Sequence, residues 1–392
     1  MSDSRKKGKK PVTLITGYLG SGKTTVMNEL LRNQAGKKIA LIVNDMGSIN
    51  LDADLLKKGS IAQMDTKMIE LQNGCICCTL RDEFMEQIEQ LSKEDEIEAI
   101  LVEASGISNP ASIADGFLTY EEIHKKTSAF LNSIVTVVDA DRIYAEFLAE
   151  IGEQQKAERA QEEDPDIINL VMDQIEFCNL IILNKCDLLN QEQLEKVKTV
   201  IRQIQPEADI IETVQGKVDA KLIISKKRFD YDKVNNSSAI QKALDREARE
   251  NEGEQKEYGI DSFVYEERKP FKYDAFMKFM EQDYPESIIR AKGYIWFEDD
   301  DVHVQLFEQA GRNASITEIS NWNAAFDAKE QKKVFDEYPE VLNDWDETYG
   351  DRMNQIVFIG RGYDEAEIRR HLDSCIAGGQ EHCKAVSLIM SN

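Results

Sequence analysis

One run limits what this chain can fold into more than anything else in it: Gly17-Tyr-Leu-Gly-Ser-Gly22-Lys23-Thr24-Thr25. It follows an apolar segment at 12–16 and leads into 26–32, whose pattern suits a helix. A glycine-rich turn between a strand and a helix N-terminus is a phosphate cradle. Gly17, Gly20 and Gly22 let backbone N–H groups turn toward a phosphate, and Ser21 and Thr25 belong to the same cradle. Lys23 supplies a point charge for the β and γ phosphates, and the Thr24 hydroxyl suits Mg²⁺. Short apolar segments at 12–16, 38–43, 97–103, 134–139, 179–184 and 209–213 alternate with helix-like stretches. That alternation predicts an α/β fold, an open and mostly parallel sheet with helices on both faces. Ligands of such sheets bind beyond the strand C-termini, where Gly17, Asp45, Glu103, Asp139 and Asn184 all fall.

The base on those phosphates is chosen at Asn184-Lys185-Cys186-Asp187. A carboxylate at Asp187 can accept from both N1–H and the 2-amino group of guanine, an edge adenine lacks, while Lys185 can lie along the base. The domain therefore reads as a phosphate-loop GTPase that takes GTP and GDP. Glu103, at the end of the third apolar segment, would face the Mg²⁺ held by Thr24, so Lys23, Thr24 and Glu103 form the expected catalytic set. No residue stands out to position an attacking water, so hydrolysis is expected to be slow. A γ-phosphate-sensitive switch is expected over 45–52.

Cys75, Cys77 and Cys78 lie within four positions of one another, beside Gly74. Thiolates are soft ligands that favour Zn²⁺ or Cu(I) over Mg²⁺ or Ca²⁺, and three ligands leave one position open for catalysis or hand-over. Buried packing cysteines or a redox pair are the competing readings. The chain has 392 residues, so two domains are expected. Its formal charge of −25 argues against nucleic acid and anionic membranes as partners. A basic leader at 5–10 is followed by too short an apolar run for a signal peptide, which points to the cytoplasm.

Further motifs widen the picture: Val43-Asn-Asp-Met46, Asn73-Gly-Cys-Ile-Cys-Cys-Thr-Leu80, Glu103-Ala-Ser-Gly106, Val138-Asp139, Arg290-Ala-Lys-Gly293, Gln309-Ala-Gly311, Trp322 and Gly350-Asp-Arg352. With the phosphate loop and Asn184-Lys-Cys-Asp187, they make the chain resemble the CobW-type GTP-binding metallochaperone family, close to its zinc-related bacterial branch. The resemblance implies a GTPase that binds zinc at Cys75, Cys77 and Cys78 and delivers it to client proteins. Many members carry an acid where this chain has Ser48, so the fourth zinc ligand is open between water, Asp45 and a client residue. A zinc buffer and a redox- or metal-responsive regulatory GTPase are the alternatives, and homo-oligomerisation stays open.

The expected domains are a leader at 1–10, a GTPase domain with the metal site at 11–216, a charged linker or insertion at 217–256, a CobW-like α+β domain at 257–378 and a tail at 379–392. In the second domain strands are expected near 263–266, 293–297, 302–307, 315–320 and 355–359, and helices near 273–281, 329–344 and 365–375. His371 and Cys375, four apart on a helix-like stretch, could chelate a metal, although an amphipathic helix produces such pairs by chance; His382 and Cys383 in the tail could hand metal on, His303 reads as a strand residue and Trp296 and Trp322 as core. Arg290 and Lys292 have no chemical role in this reading.

Overall fold

A computed structural model describes residues 9–33, 38–44, 68–71, 81–104, 106, 108–148, 166–224, 229–235, 237, 260–311 and 313–377. The chain divides into two compact units, Met1–Ala239 and Ile240–Asn392.

Among the described residues the first unit is built on seven strands: β1 (Lys10–Thr16), β2 (Ile39–Asn44), β3 (Met68–Leu71), β4 (Ala99–Glu103), β5 (Ala129–Asp139), β6 (Leu180–Asn184) and β7 (Asp209–Glu212). They pair in parallel in the order β3-β2-β4-β1-β5-β6-β7. A parallel sheet must cover both faces, and its strands read as near-continuous apolar runs for that reason. Side chains alternate: Ile15, Leu41, Leu101, Val135, Val137 and Ile182 pack with Val26, Met27 and Leu30 of helix α1 (Lys23–Arg32) on one face. Leu14, Ile42, Val102, Ile134 and Ile181 are buried on the other. There lies α5 (Asp166–Glu176), tied to β5 where the Thr136 hydroxyl donates to the Gln174 carbonyl at 2.6 Å. Between these come α2 (Arg81–Ser92), α3 (Pro110–His124) and α4 (Ala140–Phe147), with α6 (Gln191–Ile204) after β6.

Two features depart from the sequence reading. Strand β3 is a seventh, four residues long and too short to show a period, recruited through Leu41↔Met68 and Ile42↔Ile69 pairing. The stretch read as a linker or insertion from 217 begins inside the fold: Val218 and a short helix, Ala220–Ile224, with its Ala220, Ile223 and Ile224, are buried in the core beneath the sheet. Its charged neighbours masked three apolar residues at helical spacing, Ala220, Ile223 and Ile224.

The second unit is an antiparallel five-stranded sheet in the order β11-β10-β9-β12-β8, from β8 (Ile260–Glu267), β9 (Ile288–Ile295), β10 (His303–Ala310), β11 (Asn313–Asn321) and β12 (Asn354–Arg361). Two helices, Tyr273–Lys278 and Glu365–Cys375, flank it, and one face is sealed by aromatic rings. Phe276 meets Phe271, Phe297 and Phe307 at centroid distances of 5.4, 5.9 and 5.5 Å, and Phe263 stacks on Phe358 at 4.9 Å. Arg290 is wholly buried; it and Lys292 both pair with Glu308, at 3.3 and 2.7 Å. Trp296 and Trp322 are each 5% exposed, in a small cluster with Val304.

Candidate functional site

β1 lies between β4 and β5, and the connections leaving β1 and β4 run to opposite sides of the sheet, from β1 toward β2 and from β4 toward β5. Such a switch point opens a crevice at the strand C-termini. The glycine-rich loop leaves β1 there, turning through left-handed backbone at Gly17, Gly20 and Gly22 with φ of 140°, 80° and 101°. Gly22 caps α1 and a side chain on it would run into the Asn184 amide, so only glycine fits. The N–H groups of the first turn of α1 give this end the partial positive charge that attracts a phosphate. Lys23 is 6% exposed, its ammonium 3.3 Å from the Tyr18 carbonyl within the same loop.

Asn184 ends β6 and is buried. Its amide donates to the Ser21 carbonyl at 3.0 Å, while its oxygen accepts from the Thr213 hydroxyl at 3.1 Å and the Gly216 N–H at 3.0 Å. One side chain thus braces the phosphate loop against the turn after β7. Gly216 has φ of 67° and packs so closely that a Cβ would sit 2.8 Å from the Val26 nitrogen. Lys185 adopts φ of 60°, left-handed backbone that costs a non-glycine residue about 1 kcal/mol. Its ammonium meets the Asp139 carboxylate at 2.5 Å, and the same carboxylate caps α4 by accepting from the N–H groups of Asp141 and Arg142. Asp187 lies exposed in a single turn of 3-10 helix, Cys186–Leu188, with its carboxylate at the rim. Cys186 turns inward to the Leu183 carbonyl at 3.1 Å, and burial raises its thiol pKa.

On the other side of the loop, Glu103 ends β4 beside Ile15 of β1 and is 2% exposed. Its carboxylate and the half-buried Thr24 hydroxyl are hard oxygen donors, the chemistry Mg²⁺ requires. Past Glu103, Gly106 packs on the phosphate loop: a Cβ there would lie 3.2 Å from the Leu19 nitrogen and 3.5 Å from the Lys23 ammonium. Arg142 lies over the Tyr18 ring at 4.5 Å, covering a small cleft lined by Ser21, Thr136, Asp139 and Gln174.

Several expected residues lie elsewhere. Cys75, Cys77, Cys78, Asp45, Ser48, His382 and Cys383 fall outside the described residues, as does the 45–52 switch. Among the described residues no group of three His, Cys, Asp or Glu side chains could hold a metal ion. The His371–Cys375 pair is no chelate: the Cys375 thiol is buried in the aromatic core and donates to the His371 carbonyl at 3.3 Å, while His371 stacks on Phe279. Burial pushes that thiol up to about 11. His303 is a strand residue, held by Asp300 at 3.0 Å. Sequence reasoning passed over Gln174, Thr213, Gly216, Arg142 and Tyr18; only Gln215-Gly216, a turn signal after a strand, could have pointed to any of them.

A phosphate loop on the switch-point strand of a parallel sheet, braced by Asn184, places the first unit among the phosphate-loop GTPase folds, with an antiparallel sheet domain following. Residues 11–212 match the family described as CobW/HypB/UreG, nucleotide-binding domain, and residues 260–376 match the cobalamin synthesis protein cobW C-terminal domain. The chain belongs to this CobW family. It is 32% identical over 387 residues to zinc-regulated GTPase metalloprotein activator 1 of Dictyostelium discoideum, covering 94% of this chain and 80% of that one. It is 34% identical over 226 residues to zinc chaperone CobW of Pseudomonas aeruginosa, covering 55% and 60%, and 25% identical over 368 residues to zinc chaperone YjiA of Escherichia coli, covering 91% and 96%. No helix among the described residues is long and apolar enough to cross a membrane.

Proposed function

We propose that this protein binds GTP, hydrolyses it slowly, and uses the cycle to carry zinc held by Cys75, Cys77 and Cys78 to client proteins. The observation that carries the nucleotide half is the Asn184 brace, which holds the phosphate loop and the Lys185-Cys-Asp187 turn on one rim of the sheet. The zinc half is supported by the Cys-x-Cys-Cys spacing and by the names of the relatives, which are zinc chaperones and a zinc-regulated GTPase metalloprotein activator.

In this reading the backbone of Gly20, Ser21, Gly22 and Thr25 cradles the phosphates at the N-terminus of α1, and Lys23 neutralises charge between the β and γ groups. Thr24 and Glu103 would hold Mg²⁺, which supplies Lewis-acid polarisation of the phosphate oxygens when bound. Asp187 accepts from the guanine edge and Lys185, aimed by Asp139, lies along the base. The three thiolates and a fourth ligand bind zinc as cargo, and the bound nucleotide, GTP or GDP, changes their geometry. Cytoplasmic localisation and metal-dependent protein clients follow from the same reading.

Zinc affinity measured by competition with a chromophoric chelator, in GDP and in a non-hydrolysable GTP analogue, tests both halves at once. About a 5- to 150-fold difference between the two states is expected, the usual range of coupling between sites. The Cys75→Ser, Cys77→Ser, Cys78→Ser triple variant should abolish it. Affinity indifferent to nucleotide would reduce the protein to a zinc buffer.

A further inference from the structure

The described loop that follows β4 carries Gly106 and Ser108, and what fixes it is a side chain far away in sequence. Ladder bonding to β1 ends where the Ala104 N–H donates to the Ile15 carbonyl at 2.9 Å. The far end enters α3 through Asn109, whose side chain caps the helix by accepting from the Ala111 N–H at 2.9 Å. Between these ends the Gln174 amide donates to the carbonyls of Gly106, at 3.1 Å, and Ser108, at 3.3 Å. Gln174 is 1% exposed, and its own backbone carbonyl is held by the Thr136 hydroxyl at 2.6 Å, so the side chain projects from a fixed point. Turning the amide over would set its oxygen against two carbonyl oxygens, so the donor orientation is dictated.

The position so fixed matters because of what Gly106 faces. A Cβ on it would lie 3.2 Å from the Leu19 nitrogen and 3.5 Å from the ammonium of Lys23, the cation assigned above to the β and γ phosphates. We infer that Gln174 is a positioning residue for the terminal phosphate: it holds the Gly106 loop at the edge of the phosphate loop, where a third phosphate reaches it and a second does not. It touches neither nucleotide nor metal. The inference rests on the GTP reading above and adds a residue that the reading did not contain.

Gln174→Met keeps side-chain length and apolar bulk while removing both donors, and Gln174→Glu sets a carboxylate against the same carbonyls. Full-length protein is titrated with a fluorescent GDP and with a non-hydrolysable fluorescent GTP analogue, and GTP turnover is followed. GDP affinity should stay within about twofold, while affinity for the analogue falls about 5- to 30-fold, what two ordinary hydrogen bonds are worth. Turnover at saturating GTP should fall as well. A purely structural role would weaken both nucleotides equally; that result, an unchanged ratio, or tighter binding of the analogue overturns the assignment. Wild-type protein that binds neither nucleotide removes the GTP reading and the inference together, whereas normal wild-type binding with an unaltered variant ratio removes the inference alone. Hydrogen exchange on the wild type gives an answer that does not depend on the variants folding: protection at 106–109 should rise with the analogue and not with GDP, and equal protection counts against the assignment.

Discussion

Asn184→Ala removes a side chain that accepts two hydrogen bonds and donates one, all within the buried seam between the phosphate loop and the turn after β7. Each such bond contributes about 1 kcal/mol net, and the change also strands the Ser21 carbonyl and the Gly216 N–H away from water, so the loss should be about 3 kcal/mol or more. For a unit the size of Met1–Ala239, a loss of that order lowers the thermal midpoint by roughly 6–12 °C. Calorimetry on nucleotide-free protein measures it directly. The comparison is Asp187→Ala, which sits exposed at the rim and should leave the midpoint unchanged. Both variants should lose GDP binding, for different reasons: Asn184 through the shape of the phosphate loop, Asp187 through the base. If Asn184→Ala shifted the midpoint by less than a degree in the absence of nucleotide, the brace would be a contact without energetic consequence and the reasoning would fail.

Other outcomes follow from the same geometry. Asp187→Ala should erase the preference for guanine over adenine nucleotides, seen as GDP no longer outcompeting ADP; retained selectivity would place base reading elsewhere. Asp139→Ala strips the cap from α4, costing about 1 kcal/mol, and frees Lys185; the ion pair itself adds little, since Lys185 is 36% exposed. Urea unfolding should show that loss, and GDP binding should weaken beyond it. Cys178 and Cys375, pushed by burial up to about 12 and about 11 from an ordinary 9.0, should resist thiol reagents in the native protein at pH 8. Because their folded values lie above the unfolded one, the stability they contribute is present below pH 9 and is lost as pH rises toward 11–12. Cys178→Ala should flatten that alkaline fall, and an unchanged slope between pH 9 and 12 would contradict it.

By itself the sequence determined the parts whose geometry is local. Gly17, Gly20 and Gly22 stand where the backbone must turn left-handed, Lys23-Thr24 opens the helix because the loop ends there, and the apolar runs mark strands buried on both faces. The exposed turn that carries Asp187 was legible too, because the polar run Asn184-Lys-Cys-Asp187 closes an apolar segment and needs no distant partner to be recognised. What only tertiary structure decided are the partners. Asn184 reaches Ser21 across 163 residues and Gln174 reaches Gly106 across 68, contacts that depend on β6 lying two strands from β1 and on α5 crossing behind β5. The His371 and Cys375 spacing allowed either a chelate or a chance pair on an amphipathic helix, and the helix that carries them turns the thiol into an aromatic core while the imidazole stacks on Phe279. Neighbouring residues constrain backbone dihedrals directly, so turns and periods can be read along the chain. Which side chain meets which is set by strand order and by the face a helix buries, and those are properties of the assembled sheet.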